Sequence, residues 1–235
     1  MFVSVRRSAL AAVSVLSLGT AIVGPAMAQD AATIRAAISV RDAALTDTVA
    51  MDYVTQLTTR FGPRPAGSAS ETAAAEWAAG YMREQGFKNV HIQAFPLVGW
   101  ERGQESASIV GANPQRLVVA ALGHSPGTPV GGIEAEVVRF ADLAALEAVP
   151  AGMLAGKIAF VDYHMQRTRD GSGYGVGSRV RTRGPSAAIR AGAGAFVMRS
   201  AGTDNHRNPH TGITRFDDGL APIPSAALSV PDADQ

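Results

Sequence analysis

Apolar residues recur along this chain at two periods, and the change from one to the other falls near Trp100. Upstream of it, residues 31–45 (AATIRAAISVRDAAL) and 47–60 (DTVAMDYVTQLTTR) read as helices. In the second, Val49, Tyr53, Val54 and Leu57 fall on one apolar face. Pro63 and Pro65 forbid continuation and set an extended turn. Ser68 with Glu71 has capping-box spacing and predicts a helix running to Gln85, with Trp77 and Tyr81 one turn apart and Gly86 as its C-terminal stop. Residues 89–95 (NVHIQAF) alternate and predict a strand, with Val90, Ile92 and Ala94 on one side and His91 on the other.

Downstream of Trp100, short apolar runs are broken by Gly and Pro. Strands are expected at 106–110, 116–122, 134–140, 158–162, 195–199 and 223–228, with a short helix at 142–149. The stretch 156–200 organises this part. IAFVD (158–162) and AFVMR (195–199) read as buried strands, and PSAAIRAG (185–192) between them reads as a helix. Pro185 suits its first turn and Gly192 its end. Strand, helix and strand at this spacing form a crossover unit of parallel strands, which need cover on both faces. The fold class is therefore α/β, the later strands forming a small, partly closed, β-rich part with one or two helices. Ser229, Pro231, Asp232 and Asp234 carry the start signals of a last helix, which is expected to continue beyond Gln235 and cover the sheet.

Composition narrows the class. Of 235 residues 46% are hydrophobic and 17% charged, which sustains a packed core and excludes bulk disorder. Net charge is +1, so nothing global points to nucleic acid or an anionic membrane. There is no cysteine, which excludes disulfides, thiolate chemistry and Cys-ligated zinc. Arg6 and Arg7, the apolar stretch 8–23 and the small-x-small pair Ala26 and Ala28 make a signal peptide over residues 1–28. The apolar stretch is shorter than the roughly 20 residues a spanning helix needs. Cleavage would remove two arginines and no acid, turning the charge from +1 to −1.

Three features could carry chemistry. Residues 123–127 (GHSPG) match the G-x-S-x-G elbow of serine hydrolases, with Ser125 in the nucleophile position. The following residue must donate a backbone N–H to the oxyanion hole, and here it is Pro126, which has none, so an ordinary turn is the competing reading. His206 and His210 are four apart, as two metal ligands on a helix face would be, but Pro209 interrupts any such helix and no adjacent Glu supplies a base. From Arg167 to Arg199 there are seven arginines and one acid, Asp170. The Arg/Gly-rich part, 167–184, reads as a mobile basic surface loop or as an anion site, without P-loop spacing. Paired acids are absent: neither Glu-Glu nor His-x-Asp occurs.

Several segments, in order, resemble the carboxypeptidase Q group of co-catalytic dizinc exopeptidases. They are Phe61-Gly62-Pro63-Arg64 with Gly67-Ser68, Trp100-Glu101-Arg102-Gly103, Gly127-Thr128-Pro129 with residues 132–137, residues 209–213, and residues 223–227. The resemblance implies that residues 29–103 begin a zinc-peptidase domain. It implies that residues 104–235 are an incomplete protease-associated-like domain inserted into it. The family's two zinc ions are held by a His-x-Asp, a Glu-Glu pair whose first member is the general base, and a later Asp and His. None has a counterpart here, so the resemblance assigns no catalytic, cofactor-binding or metal residue to this chain.

The resulting reading is the N-terminal portion of an exported, periplasmic or extracellular zinc-dependent exopeptidase acting on peptides. It needs no nucleic acid, keeps no stable membrane span after cleavage and leaves room for a homodimer. No zinc is expected on this chain alone. The alternatives are a non-catalytic protease-associated binding module and a serine hydrolase using Ser125.

Overall fold

The computed structural model describes residues 30–235; the expected signal peptide at 1–28 lies outside the described residues. The chain divides into two compact units at the end of its second helix, between Arg60 and Phe61. Unit one holds α1 (Ala31–Thr46) and α2 (Val49–Phe61). Asp30 caps α1, accepting the backbone N–H of Ala32 and of Thr33 at 2.8 Å, and these bonds, Thr33's foremost, hold its carboxyl below the ordinary range.

Unit two begins with the turn containing Pro63 and Pro65. Ser68 then caps α3 (Ala69–Glu84), its Oγ accepting Glu71 N–H at 3.2 Å. Gly86 follows the helix at φ 88°, a left-handed position that only glycine takes without strain. Trp77 and Tyr81 stand one turn apart with ring centroids 5.5 Å from each other.

Residues 89–95 form no strand. Ile92 and Phe95 are exposed, and no described strand lies beside them to complete a ladder. Alternation prepares a strand, but a neighbouring backbone has to complete it.

The expected strand at 116–122 is two. β1 (Ala107–Ile109) pairs antiparallel with β2 (Gln115–Leu117), and β3 (Val119–Ala121) enters a different sheet. Val118 is the pivot: its N–H donates to Asp232 at 3.1 Å and its carbonyl accepts Ser229 N–H at 2.9 Å. The main sheet continues with β4 (Val137–Phe140), α4 (Leu143–Glu147, capped by Asp142), β5 (Ile158–Val161), α5 (Tyr174–Arg190), β6 (Ala195–Arg199), β7 (Ser225–Leu228) and α6 (Val230–Ala233). Strand order is β3-β7-β6-β5-β4, with β4 to β7 parallel and β3 antiparallel to β7. Thus 158–199 is the parallel crossover its sequence implies. The sheet has two edges and is open, not partly closed.

Period-two alternation sorts this sheet into two cores. Ala159 and Val161 of β5, Phe196 and Met198 of β6 and Ala227 of β7 share one cluster with α4 and α5. Phe160, Val197 and Leu228 belong to the other, with Leu117, Val119 and Ala233 of α6. On α5 the buried residues Gly177, Val180, Gly184, Ala187 and Ala188 form a helical stripe of mostly small side chains, continued by Ala191 at its C-cap. Gly184 sits against the fully buried ring of Phe196.

Two expectations about α5 are corrected. The helix starts at Tyr174, so Pro185 is interior and most of the expected basic loop is helical. A proline inside a helix leaves the carbonyl four residues earlier without its N–H. That carbonyl is Arg181's, and the buried Thr214 hydroxyl donates to it at 2.7 Å. The substitute bond comes from a segment 33 residues away, out of reach of local sequence reading.

Candidate functional site

Three arrangements of chemistry-bearing side chains stand out, and the residues singled out above divide among them. The first joins the 123–127 turn to the segment entering β1. Ser125 is buried, its Oγ donating to the Ser225 carbonyl at 3.2 Å and its carbonyl accepting the Trp100 indole N–H at 3.0 Å. His124 turns the chain at φ 69°. No helix follows, and the Ser125 hydroxyl is spent on a backbone carbonyl instead of a base. Residues 123–127 are therefore an ordinary turn that anchors Trp100. The guanidinium of Arg102 lies 5.1 Å from the Trp100 ring centroid and donates to Glu105 and to the Ala121 carbonyl, both at 2.6 Å. Glu105 accepts the Ala121 N–H at 2.6 Å, so residues 100–105 act as a strap fastened to β3.

The second arrangement lies at the C-terminal ends of β5 and β6. Asp162 and Arg199 are both 4% exposed, and Arg199 Nε donates to Asp162 Oδ1 at 2.6 Å. Arg139 of β4 donates to the other carboxylate oxygen at 2.6 Å, and Arg199 Nη2 reaches Asp234 at 2.6 Å. Burial pushes the Asp162 carboxyl up, but the hydrogen bonds and charges of Arg199 and Arg139 outweigh it and hold the carboxyl below the ordinary range. An open hollow beside this pair is lined by His164, Arg167, Thr203 and Asp204. Asp232 of α6 is equally buried, with Ser229, Val118 N–H and Arg207 (3.0 Å) around it. These networks tie α6 to the sheet; every buried charge in them is paired, which suits a fastening. Their only sequence signal is a charged residue immediately after each apolar run.

The third arrangement gathers part of the basic run and one of the two histidines. Arg181 of α5 donates to the Tyr174 phenol at 2.9 Å, and that phenol bonds His210 Nε2 at 3.0 Å. His206 is held elsewhere, its Nδ1 accepting Asn208 N–H at 3.2 Å and its Nε2 lying 3.3 Å from Asp204. The two histidines are thus engaged separately, in a segment that is not helical. Among the described residues no three His, Cys, Asp or Glu side chains converge as a metal site. Residues 1–29 add no such side chain. The donor set of the described residues does not fit a zinc centre.

No family model matches the chain. Carboxypeptidase Q of Mus musculus is 34% identical over 173 residues, which are 74% of this chain and 35% of that protein. Its Homo sapiens counterpart is 33% identical over the same shares. The chain is similar to carboxypeptidase Q. It spans 35% of the length of these curated relatives. Among solved structures, the Peptidase M28 precursor from Shewanella amazonensis SB2B matches 85% of this chain and 45% of its own at 42% identity, with a TM-score of 0.79. BSAP, a zinc aminopeptidase from Bacillus subtilis, shares the fold at 21% identity and a TM-score of 0.52 over 78% of this chain and 39% of its own. The dizinc exopeptidase resemblance to carboxypeptidase Q, and the mixed α/β class with a mostly parallel sheet, both stand. Among the described residues no helix is long and apolar enough to cross a membrane.

Proposed function

We propose that this chain is the N-terminal part of an exported zinc-dependent exopeptidase, acting on peptides, that resembles carboxypeptidase Q. Residues 29–103 would open the peptidase domain, and residues 104–235 would form a protease-associated-type domain inserted into it. The metal-binding and catalytic groups would lie in the stretch that the longer relatives have beyond this match. The observation that carries the reading is the 42% identity to the Peptidase M28 precursor across 85% of this chain. The similarity to carboxypeptidase Q supports peptide substrates. The zinc named for the Bacillus subtilis aminopeptidase supports the metal, and the composition of residues 1–28 supports export.

In this arrangement the present residues would position the chain. The strap at 100–105 would set where the chain enters the sheet domain, and the Asp162–Arg199 and Asp232 networks would hold α6 against it. Two zinc ions, if held by groups in that further stretch, would supply the activation of water for peptide hydrolysis.

A second reading, a non-catalytic binding module, is favoured by the donor set: unit two has its own core and no convergent metal ligands among the described residues. The test is to produce the polypeptide of the whole reading frame, load it with zinc and measure amino acids released from dipeptides. Hydrolysis abolished by a chelator and restored by zinc is expected. An inert zinc-loaded polypeptide overturns the proposal, and a reading frame ending at Gln235 selects the module.

A further inference from the structure

The hollow beyond the C-terminal ends of β5 and β6 has a volume of about 270 Å³ and opens to solvent. Loops that follow parallel strands gather there, and open α/β sheets bind their ligands on that side. Arg199 lines the hollow but has no charge to offer. It is buried, with Nε on Asp162, Nη1 on the Val230 carbonyl at 3.3 Å and Nη2 on Asp234.

The charges that remain come from the two loops. Arg167, after β5, is exposed and pairs with no described Asp or Glu. Its Nη2 donates to the Thr203 carbonyl at 3.1 Å, which fixes where the guanidinium stands and leaves its other donors open. Asp204, after β6, is 44% exposed. Its Oδ1 accepts the His206 N–H at 3.4 Å and lies 3.3 Å from His206 Nε2. Oδ2 has no described hydrogen-bond partner and lies against Gly202, 2.8 Å from where a Cβ would stand. His164 is exposed, its Nε2 3.6 Å from Asp162 Oδ1, and the half-buried Met165 and Val230 supply apolar wall.

Arg167 and Asp204 thus line one hollow as opposite charges with no ion pair between them. A lone anion would be opposed by Asp204 and a lone cation by Arg167, whereas a small zwitterion satisfies both. The volume falls below the roughly 300–1,000 Å³ of pockets that enclose drug-sized ligands, which suits one amino acid better than a longer peptide. We propose that this hollow binds a free α-amino acid with an apolar side chain. The carboxylate would lie on the Arg167 guanidinium, the ammonium on Asp204 Oδ2 and the side chain against Met165 and Val230. In an exopeptidase such a ligand would be a product, but the site rests on its own charges and volume and not on that reading.

The test follows the amide resonances of Thr203 and Asp204 in this chain while leucine, N-acetyl-leucine, leucinamide or glycyl-leucine is added at about pH 6.5, where a free α-amino group is protonated. Exposed charges hold a ligand weakly, so leucine should saturate with a Kd on the order of 1 mM. N-acetyl-leucine, without the ammonium, and leucinamide, without the carboxylate, should each bind roughly tenfold more weakly or worse. Asp204→Asn should abolish the preference for leucine over N-acetyl-leucine, and Arg167→Gln the preference over leucinamide, each leaving the other preference in place. A residue that merely held its loop would weaken every ligand alike. Gly202→Ala, which displaces the Asp204 carboxylate and removes no polar group, should act as Asp204→Asn does. No saturable shift, either analogue binding as tightly as leucine, glycyl-leucine binding more tightly than leucine, or preferences that survive the substitutions would each overturn the site. An inert zinc-loaded product of the whole reading frame would overturn the exopeptidase reading and leave the site standing.

Discussion

Alanine at position 184 should destabilise the domain although alanine is the better helix former. Gly184 is interior to α5, where Gly→Ala alone gains about 1 kcal/mol from helix propensity. The added Cβ would lie 2.4 Å from Phe196 Cζ and 2.7 Å from Cε2. Phe196 is fully buried in the cluster between α5 and the sheet, so its ring has no open space into which to retreat. Overpacking of this kind costs about 1–3 kcal/mol, which leaves a net loss of up to about 2 kcal/mol after the propensity gain. Gly175→Ala is the internal control. It lies on the same helix with nothing within 4 Å of its added Cβ, so the same substitution should gain up to about 1 kcal/mol there. Urea unfolding of the two variants should move the midpoints in opposite directions with unchanged slopes. Trimming the ring in Gly184→Ala/Phe196→Leu should recover part of the loss, because the two sites share one contact. A Gly184→Ala variant as stable as the parent would show that the small-residue stripe is not a packing requirement.

Thr214→Val should cost about 1–3 kcal/mol, because it leaves the Arg181 carbonyl that Pro185 has already deprived of its N–H without any donor; an unchanged urea midpoint would refute this. Asp162 has a folded pKa below its unfolded value, so its stabilisation is present above the ordinary carboxylate range and is lost as pH falls through the folded pKa. Asp162→Asn should therefore flatten the acid limb of the stability curve, and an acid limb identical to the parent's would count against the pair. This chain on its own should bind no zinc tightly, for want of three convergent donors; a stoichiometric submicromolar site in calorimetry would overturn that. The mature protein should begin at Gln29, which N-terminal sequencing of exported material checks directly: Met1 retained would refute it.

What neighbours in sequence decide was legible. Ser68 and Ser229 cap helices as their spacing implies, because a cap bonds an N–H only a few residues away. The runs at 158–161 and 195–199 are buried parallel strands, since an apolar stretch of that length has to be covered on both faces. The segments resembling carboxypeptidase Q pointed to proteins to which the chain is similar.

What distant segments decide was not legible. Residues 89–95 alternate like a strand and form none, because a ladder needs a second backbone that the described residues do not place there. The proline and glycines of 173–185 read locally as a loop and a helix start, yet they lie in or cap one helix. A threonine 33 residues onward replaces the missing hydrogen bond, and a phenylalanine ring needs the space that glycine leaves. The basic run looked like solvated charge. Folding paired Arg183, Arg190 and Arg199 with acids from other elements and tied Arg181 to the Tyr174 phenol. Propensities and caps are short-range and are written in adjacent residues; hydrogen-bond partners, counter-ions and room for a side chain are supplied across the fold, so only the tertiary structure could assign them.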